Sequence, residues 1–157
     1  MIDAKRRTLL KGSLGASAIG VAVSAGLLTP GAVLANWPEA AFSATDTDAA
    51  LNDLLGSAST ETSDQVKIKA PDIAENGAVV PVTVESDVDG AKSISIIASG
   101  NGTPLIASFD LGADAVPFVS TRIKMAKTAD VVAVVQTDGG LLSAAKPVKV
   151  TIGGCGG

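Results

Sequence analysis

Cys155 is the residue of this sequence best suited to chemistry, because it is the single cysteine among 157 residues and lies close to the C-terminus. Two glycines flank it on each side, namely Gly153, Gly154, Gly156 and Gly157. Glycine lacks a Cβ atom and adopts many backbone conformations, so we expect residues 153–157 to form a flexible C-terminal arm. Extended at about 3.3–3.6 Å per residue, this arm carries the thiol roughly 10 Å beyond Ile152. The pattern predicts a thiol that enters the active site of another protein.

The sequence around Cys155 favours a thiol that stays passive until another protein activates it. An unperturbed thiol has a pKa of about 8.5, and only a few per cent of it is the reactive thiolate near pH 7. The C-terminal arm has no lysine or arginine to favour the thiolate, and the α-carboxylate of Gly157 opposes its formation. Two alternatives stay open: a disulfide between two chains, and a cysteine without function at a frayed end.

The composition excludes most other catalytic chemistry. The sequence has no histidine and no tyrosine, so it contains no Ser-His-Asp or Cys-His arrangement. One cysteine without histidine also excludes the usual zinc and copper sites. The glycines around Asn101 form no phosphate-binding motif, because no helix is predicted after them. We therefore predict a protein that is not an enzyme and has no catalytic residue, no metal and no cofactor.

The N-terminal residues predict export. Lys5-Arg6-Arg7 precedes an uncharged run over 12–34, and Val33-Leu34-Ala35 supplies the modest side chains of a cleavage site. This order is typical of a secretory signal peptide, and the paired arginines indicate the twin-arginine route. We expect residues 1–35 to be removed, which leaves a periplasmic protein without a membrane segment. The alternative is an uncleaved membrane anchor, which the five glycines of 12–34 disfavour.

The net charge limits the partners of the predicted mature chain. Cleavage after Ala35 would leave one domain of 122 residues with 8 basic and 15 acidic side chains, a formal charge of −7. This length suffices for a hydrophobic core, and the acidity argues against nucleic acid as a partner. The cations Arg122, Lys124 and Lys127 form either a site for an anion or acidic partner, or only a solvated strand face.

The middle of the chain, 36–152, is predicted to be a β-sandwich that follows one helix over 37–56. Pro38 suits the first turn of this helix and Gly56 suits its end. Short β-rich runs then alternate with turn signals at about the spacing of an antiparallel sandwich. These predicted strands cover 66–70, 79–85, 93–99, 105–109, 116–127, 131–137 and 148–152.

Alternation within the predicted strands indicates which side chains face the core. Ile123 and Met125 are expected to point inward, because they alternate with the cations Arg122 and Lys124. The same alternation predicts that three residues of the last strand point inward: Val148, Val150 and Ile152. The continuous apolar run 131–135 predicts a central strand that is covered on both faces. Proline lacks a donor, so Pro81 and Pro147 are each expected at a sheet edge or a strand start.

Several segments together resemble the SoxY family, the sulfur-carrier subunits of bacterial thiosulfate oxidation. The C-terminal sequence 148–157 with its Gly-Gly-Cys-Gly-Gly end, combined with the twin-arginine signal, is the most specific likeness. The individually generic likenesses occur in the family's order: Ala74-Glu75-Asn76-Gly77, Val80-Pro81-Val82, Ile94-Ser95-Ile96, Pro104, Thr121-Arg122-Ile123-Lys124-Met125-Ala126 and Val131-Val132-Ala133-Val134.

The resemblance implies an immunoglobulin-like β-sandwich that pairs with a second β-sandwich subunit, SoxZ. It implies that Cys155 carries the substrate covalently, while partner enzymes perform the chemistry. A haem enzyme, SoxXA, would join thiosulfate to the thiol as an S-thiosulfonate. SoxB, a metal-dependent hydrolase, would release sulfate and leave a persulfide, and SoxCD or another acceptor would process the remaining sulfur.

Two other functions stay open at the level of sequence. Gly156-Gly157 is similar to the end of ubiquitin-like carriers that hold sulfur as a terminal thiocarboxylate, but those have a cytosolic β-grasp fold and no export signal. The other alternative is a structural exported β-sandwich whose cysteine only forms an intermolecular disulfide. Modification of Gly157 would favour the first, and a dispensable thiol would favour the second.

Overall fold

The computed structural model describes residues 37–152, and all statements on structure refer to this range. It begins with two short helices, α1 (Glu39–Ser43) and α2 (Thr47–Leu55). Nine strands follow: β1 (Glu61–Thr62), β2 (Val66–Lys69), β3 (Ile73–Ala74), β4 (Val80–Ser86), β5 (Ser93–Ala98), β6 (Leu105–Asp110), β7 (Phe118–Ile123), β8 (Ala129–Thr137) and β9 (Gly140–Val150).

The strands form two sheets. The larger sheet has the order β1-β9-β8-β5-β6, with β3 also paired to β9, and the smaller sheet has the order β2-β4-β7. The pairings are antiparallel except for those of β1 and β3, which run parallel to β9. The predicted β-sandwich with a helical N-terminal segment is therefore confirmed.

The main core lies between the two sheets. It takes alternate residues of the strands, because successive side chains of a strand point to opposite faces. Val82 of β4, Ile96 of β5 and Ala133 of β8 belong to it and are at most 1% exposed. Ile123 and Met125 belong to the same core, while Arg122 and Lys124 are exposed, as the alternation predicted.

A second core forms where the helices cover the outer face of the larger sheet. Ala41 of α1 and Leu51 of α2 pack in one cluster with Ile97, Leu105 and Val134 of the sheet. Strand β8 contributes to both cores, since Val131, Ala133 and Val135 belong to the first, and Val134, with Val132 packed against it, to the second. The prediction of a central strand covered on both faces is confirmed.

The single helix predicted over 37–56 is wrong in one respect, because the structure divides it into two. The Asp46 carboxylate accepts hydrogen bonds from the backbone N–H groups of Asp48 (2.9 Å) and Ala49 (3.1 Å), which starts α2 afresh. Such an N-cap satisfies donors that lack partners at a helix start. Gly56 ends α2 as predicted, with φ 77° and a backbone hydrogen bond to Asn52.

The last strand is much longer than the predicted 148–152. It starts at Gly140, directly after a tight turn at Asp138-Gly139 that joins it to β8. Pro147 therefore lies inside β9, at a position between the short β1 and β3 where no described strand is paired with that side of β9. Val148 is buried as expected, but Ile152 is wrong as a core residue because it is 69% exposed.

Two other predicted strand ends also differ from the structure. The run 116–127 shortens to β7, because Val116 is exposed and Lys124 lies in the connection to β8.

Pro81 is the second residue of β4, and the neighbouring β2 pairs only with Thr83–Ser86. The missing N–H of Pro81 thus lies near a strand start, as predicted.

Candidate functional site

The predicted attachment residue Cys155 and its glycine neighbours lie outside the described residues. The structure does describe the residues from which the C-terminal arm extends, up to Ile152. We call the end of the sandwich at which β9 finishes the arm end. The segment 72–79, the turn 99–103 and the connection 124–130 meet β9 or one another there.

One side of β9 is held at the arm end by the segment 72–77. Its backbone carbonyls at Asp72 and Ala74 accept hydrogen bonds from Lys149 (2.9 Å) and Thr151 (3.1 Å). Beyond the strand, Gly77 donates its N–H to the carbonyl oxygen of Ile152 at 2.8 Å. The chain is therefore tied to the body up to the residue that precedes Gly153.

The same segment is tied to β9 by side chains. The Lys146 ammonium donates a hydrogen bond to Asp72 at 2.8 Å. This hydrogen bond and the positive charge of Lys146 hold the pKa of the Asp72 carboxyl below its usual value. The Thr151 hydroxyl donates to the carbonyl oxygen of Glu75 at 3.2 Å. Both contacts join residues that are far apart in the sequence.

The other side of β9 is held by Thr128. Its hydroxyl accepts a hydrogen bond from the backbone N–H of Val150 (2.9 Å) and lies 3.3 Å from the Val150 carbonyl oxygen, to which it donates. The β8–β9 ladder ends at the pair Ala129 and Val148, so these contacts extend the pairing toward the C-terminal arm. Thr128 therefore holds the end of β9 at Val150.

We predict that Thr128→Val loosens the end of β9 without unfolding the body. Valine keeps the shape of threonine but loses both hydrogen bonds, at a cost of about 1–3 kcal/mol where a backbone group is left without its partner. The Val150 amide should exchange its hydrogen faster by roughly tenfold or more, as measured by NMR hydrogen exchange. Thr121→Val is the control, because no hydrogen bond of the Thr121 hydroxyl to another described residue is found. Equal exchange in both variants would contradict the role of Thr128.

The turn 99–103 and the connection 124–130 pack closely beside this end of β9. The Asn101 side chain bridges them, donating to the Lys124 carbonyl (2.7 Å) and accepting from the Ala126 N–H (2.8 Å). An open cavity of about 290 Å³ lies between them, lined by Asn101, Gly102, Thr103, Lys124 and Ala126. Met125 donates its N–H to the Gly77 carbonyl at 2.7 Å, which connects this wall to the segment that holds Ile152.

The close approach of the two loops makes Gly100 a sensitive position. A Cβ atom added there would lie 2.6 Å from the Cβ of Ala129, which cannot move away as a long side chain would. We predict that Gly100→Ala destabilises the protein by about 1–3 kcal/mol, as overpacking does. Gly102→Ala is the matched control, since nothing lies within 4 Å of its added Cβ. Chemical denaturation should separate the variants, and equal midpoints would contradict this packing.

Sequence analysis missed both features that shape the arm end. Strand β3 has only two residues, too few for an alternation to be recognised. In the sequence, Asn101 resembles an ordinary turn residue, and only the loop that packs against it reveals its bridge.

In the described part of the chain, no cluster of three His, Cys, Asp or Glu side chains is arranged to hold a metal ion. Likewise, no helix within 37–152 is long and apolar enough to cross a membrane.

The fold and the arm end define a class of protein: a helix-covered β-sandwich whose last strand is held in place a few residues before a single cysteine. The model of the SoxY family, described as sulfur oxidation protein SoxY, matches residues 51–155. The chain therefore belongs to the SoxY family. This match covers most of the sandwich and extends as far as Cys155.

One solved structure supports the family directly. The sulfur carrier protein SoxY from Chlorobium limicola f thiosulfatophilum is 48% identical, with a TM-score of 0.61, over 67% of this chain and 96% of that chain. A superoxide reductase (neelaredoxin) variant from Ignicoccus hospitalis is 21% identical, with a TM-score of 0.49, over 55% of this chain and 79% of that chain. The second likeness is too low to bear on function. No curated protein matches the sequence.

Proposed function

We propose that this protein carries sulfur intermediates of thiosulfate oxidation covalently on Cys155. Membership of the SoxY family and 48% identity to a sulfur carrier protein support a carrier role in sulfur oxidation. The observation that carries the proposal is the anchoring of β9: backbone hydrogen bonds hold the chain as far as the Ile152 carbonyl, three residues before the cysteine. A body that ends in this way can present one thiol at a defined distance from its surface.

The chemistry proposed for Cys155 is a sequence of steps in which its sulfur remains bound to the protein. The thiol and thiosulfate lose two electrons and one proton to form an S–S bond, which gives a cysteine S-thiosulfonate. Hydrolysis of the terminal S–S bond adds one water, releases sulfate as its hydrogen form and leaves a persulfide. The electrons of the first step pass to a redox enzyme, because the described residues offer no acceptor.

Because Cys155 only carries the intermediates, other proteins must perform the reactions on them. We propose that SoxZ pairs with the sandwich, that SoxXA forms the S-thiosulfonate, and that SoxB and SoxCD act on the later intermediates. The chain itself contributes the thiol and the body that partners contact, and it is not an enzyme. We also propose a periplasmic location after twin-arginine export, for which the N-terminal sequence pattern is the support.

Intact-mass analysis of the protein recovered from a thiosulfate-oxidising mixture tests the proposal. We expect sulfur-bearing adducts that map to Cys155 by peptide fragmentation, and a thiol that resists alkylation until the adduct is reduced. An adduct on the Gly157 carboxylate would instead indicate a thiocarboxylate carrier. Recovery of only a disulfide-linked dimer, with no adduct at any time, would leave the structural β-sandwich as the better explanation.

A further inference from the structure

The chain contains the pair Asn-Gly twice, as Asn76-Gly77 and as Asn101-Gly102. Asparagine before glycine is prone to spontaneous deamidation, because glycine has no Cβ to keep its backbone nitrogen away from the preceding side chain. The reaction requires that the asparagine side chain can turn toward this nitrogen and that the nitrogen can lose its proton. The structure shows how far each pair meets these two requirements.

The Asn101 side chain is held at both ends of its amide. Nδ2 donates a hydrogen bond to the Lys124 carbonyl at 2.7 Å, and Oδ1 accepts one from the Ala126 N–H at 2.8 Å. Rotation of the amide toward Gly102 N would break both hydrogen bonds and leave two backbone groups without these partners. We therefore expect Asn101 to be protected from deamidation by the loop that it bridges.

The Asn76 side chain is exposed, and its Nδ2 has no hydrogen-bond partner among the described residues. Its Oδ1 accepts a hydrogen bond from the Ala78 N–H at 2.9 Å. Negative charge develops on this oxygen when a nucleophile attacks Cγ, so the Ala78 donor stabilises the intermediate as the backbone donors of an oxyanion hole do. The side chain of Asn76 is thus arranged in favour of the reaction.

One backbone hydrogen bond protects this site. Gly77 is buried and donates its N–H to the Ile152 carbonyl at 2.8 Å, and a nitrogen engaged in this way does not attack Cγ. The bond lies beyond the last strand pair, Ala74 with Val150, and the Ile152 side chain is 69% exposed. Strand ends open locally at a far lower free energy than the whole fold. The attack therefore proceeds only while the Ile152 end is released.

We propose that Asn76 is a site of spontaneous deamidation whose rate is set by the hydrogen bond from Gly77 to Ile152. When this bond opens, Gly77 N loses its proton to base in the solvent and forms a bond to Asn76 Cγ. The Cγ–Nδ2 bond breaks, and ammonia leaves. Addition of one water opens the resulting succinimide to aspartate or isoaspartate, without transfer of electrons. The proposal is independent of the chemistry proposed for Cys155.

The isoaspartate product changes the backbone at the arm end as well as its charge. It places an additional methylene group in the main chain directly before Gly77, which donates to Ile152 and accepts a hydrogen bond from Met125 N at 2.7 Å. The longer main chain cannot keep both bonds in their present geometry. In the isolated isoaspartate form, we expect the Met125 amide to exchange its hydrogen roughly tenfold faster or more. Unchanged exchange would overturn this consequence.

Incubation of the purified protein in mildly alkaline buffer tests the site. Deamidation replaces an NH2 group by an OH group and adds a negative charge, so intact mass and ion-exchange chromatography detect it and peptide fragmentation locates it. We expect Asn76 to react faster than Asn101 by roughly tenfold or more. A reaction at Asn101 that is as fast would overturn the proposal. So would an unmodified Asn76 after a synthetic peptide of residues 72–79 has reacted completely.

A threonine variant tests whether the strand end controls the rate. Thr151→Val removes the hydroxyl that donates to the Glu75 carbonyl at 3.2 Å, which loosens the segment 72–77 from β9 without a change at Asn76. We expect Asn76 to react about two- to tenfold faster, the range for the loss of one hydrogen bond. Thr121→Val makes the same substitution in β7 and should leave the rate unchanged.

The peptide of residues 72–79 also supplies the rate without the bond to Ile152. The unmodified protein should react more slowly than this peptide, with Thr151→Val between the two. Equal rates in the two variants, or a protein that reacts as fast as the peptide, would overturn control by the hydrogen bond from Gly77.

Discussion

Cys155→Ser is expected to abolish thiosulfate oxidation in a mixture of this protein with its partner enzymes. A serine hydroxyl has almost the size of the thiol, but it forms no S–S bond and is far weaker as a nucleophile at neutral pH. The rate should therefore fall to that of a mixture without the protein. Sulfate release from thiosulfate is the measurement, because it requires that the cargo is both loaded and hydrolysed.

Gly156→Ser is the matched control for this prediction. It introduces the same hydroxyl group into the C-terminal arm, one residue away, and keeps the thiol. We expect it to retain most of the rate, since it changes neither the attachment atom nor the described body. Full activity of Cys155→Ser would show that the thiol is dispensable and would favour a protein in which the cysteine only links chains.

Ile96→Ala is expected to be the most destabilising of the substitutions considered. Ile96 is 0% exposed in the core between the sheets, and β5 is paired on both sides, with β6 and β8. Removal of a large buried side chain leaves a cavity that the close-packed surroundings fill only in part. The cost should be about 2–5 kcal/mol, a large share of the roughly 5–15 kcal/mol of a typical domain.

The control for the core is Ile73→Ala, the same substitution at a position that is 56% exposed. Because water already contacts this side chain, we expect its loss to cost well under half as much as the loss of Ile96. Urea denaturation followed by circular dichroism gives both free energies of unfolding. Similar losses at the two positions would contradict the core described here.

Much of the sandwich could be predicted from local patterns. The alternation around Ile123 and Met125, the apolar run 131–135 and the glycine that ends α2 all act over a few residues, and each is found as expected. The single helix over 37–56 failed because the Asp46 side chain competes for backbone donors within a sequence that otherwise favours helix. The length of β9 was underestimated because residues 140–147 show no clear alternation of apolar and polar side chains. Their pairing with β8, which makes them part of the strand, is visible only in the structure.

The arm end, by contrast, depends on contacts between distant parts of the chain. Ala74 and Gly77 hold the last residues of β9, and Asn101 joins two loops, but nothing in these short segments signals a partner. The cavity with Lys124 arises only where these loops meet. The cations noticed in the sequence therefore acquire a location, toward the arm end, only from the tertiary structure.

The sequence by itself determined that this protein offers one thiol on a glycine-rich end and almost no other reactive group. That conclusion depends only on which residues are present and on the conformational freedom of glycine. The tertiary structure alone decided where that end leaves the body and what surrounds it. The parallel pairing of β3 with β9 and the hydrogen bond from Gly77 to Ile152 join residues that are far apart in the chain. Such pairings arise from packing of the whole sandwich, which no local periodicity records.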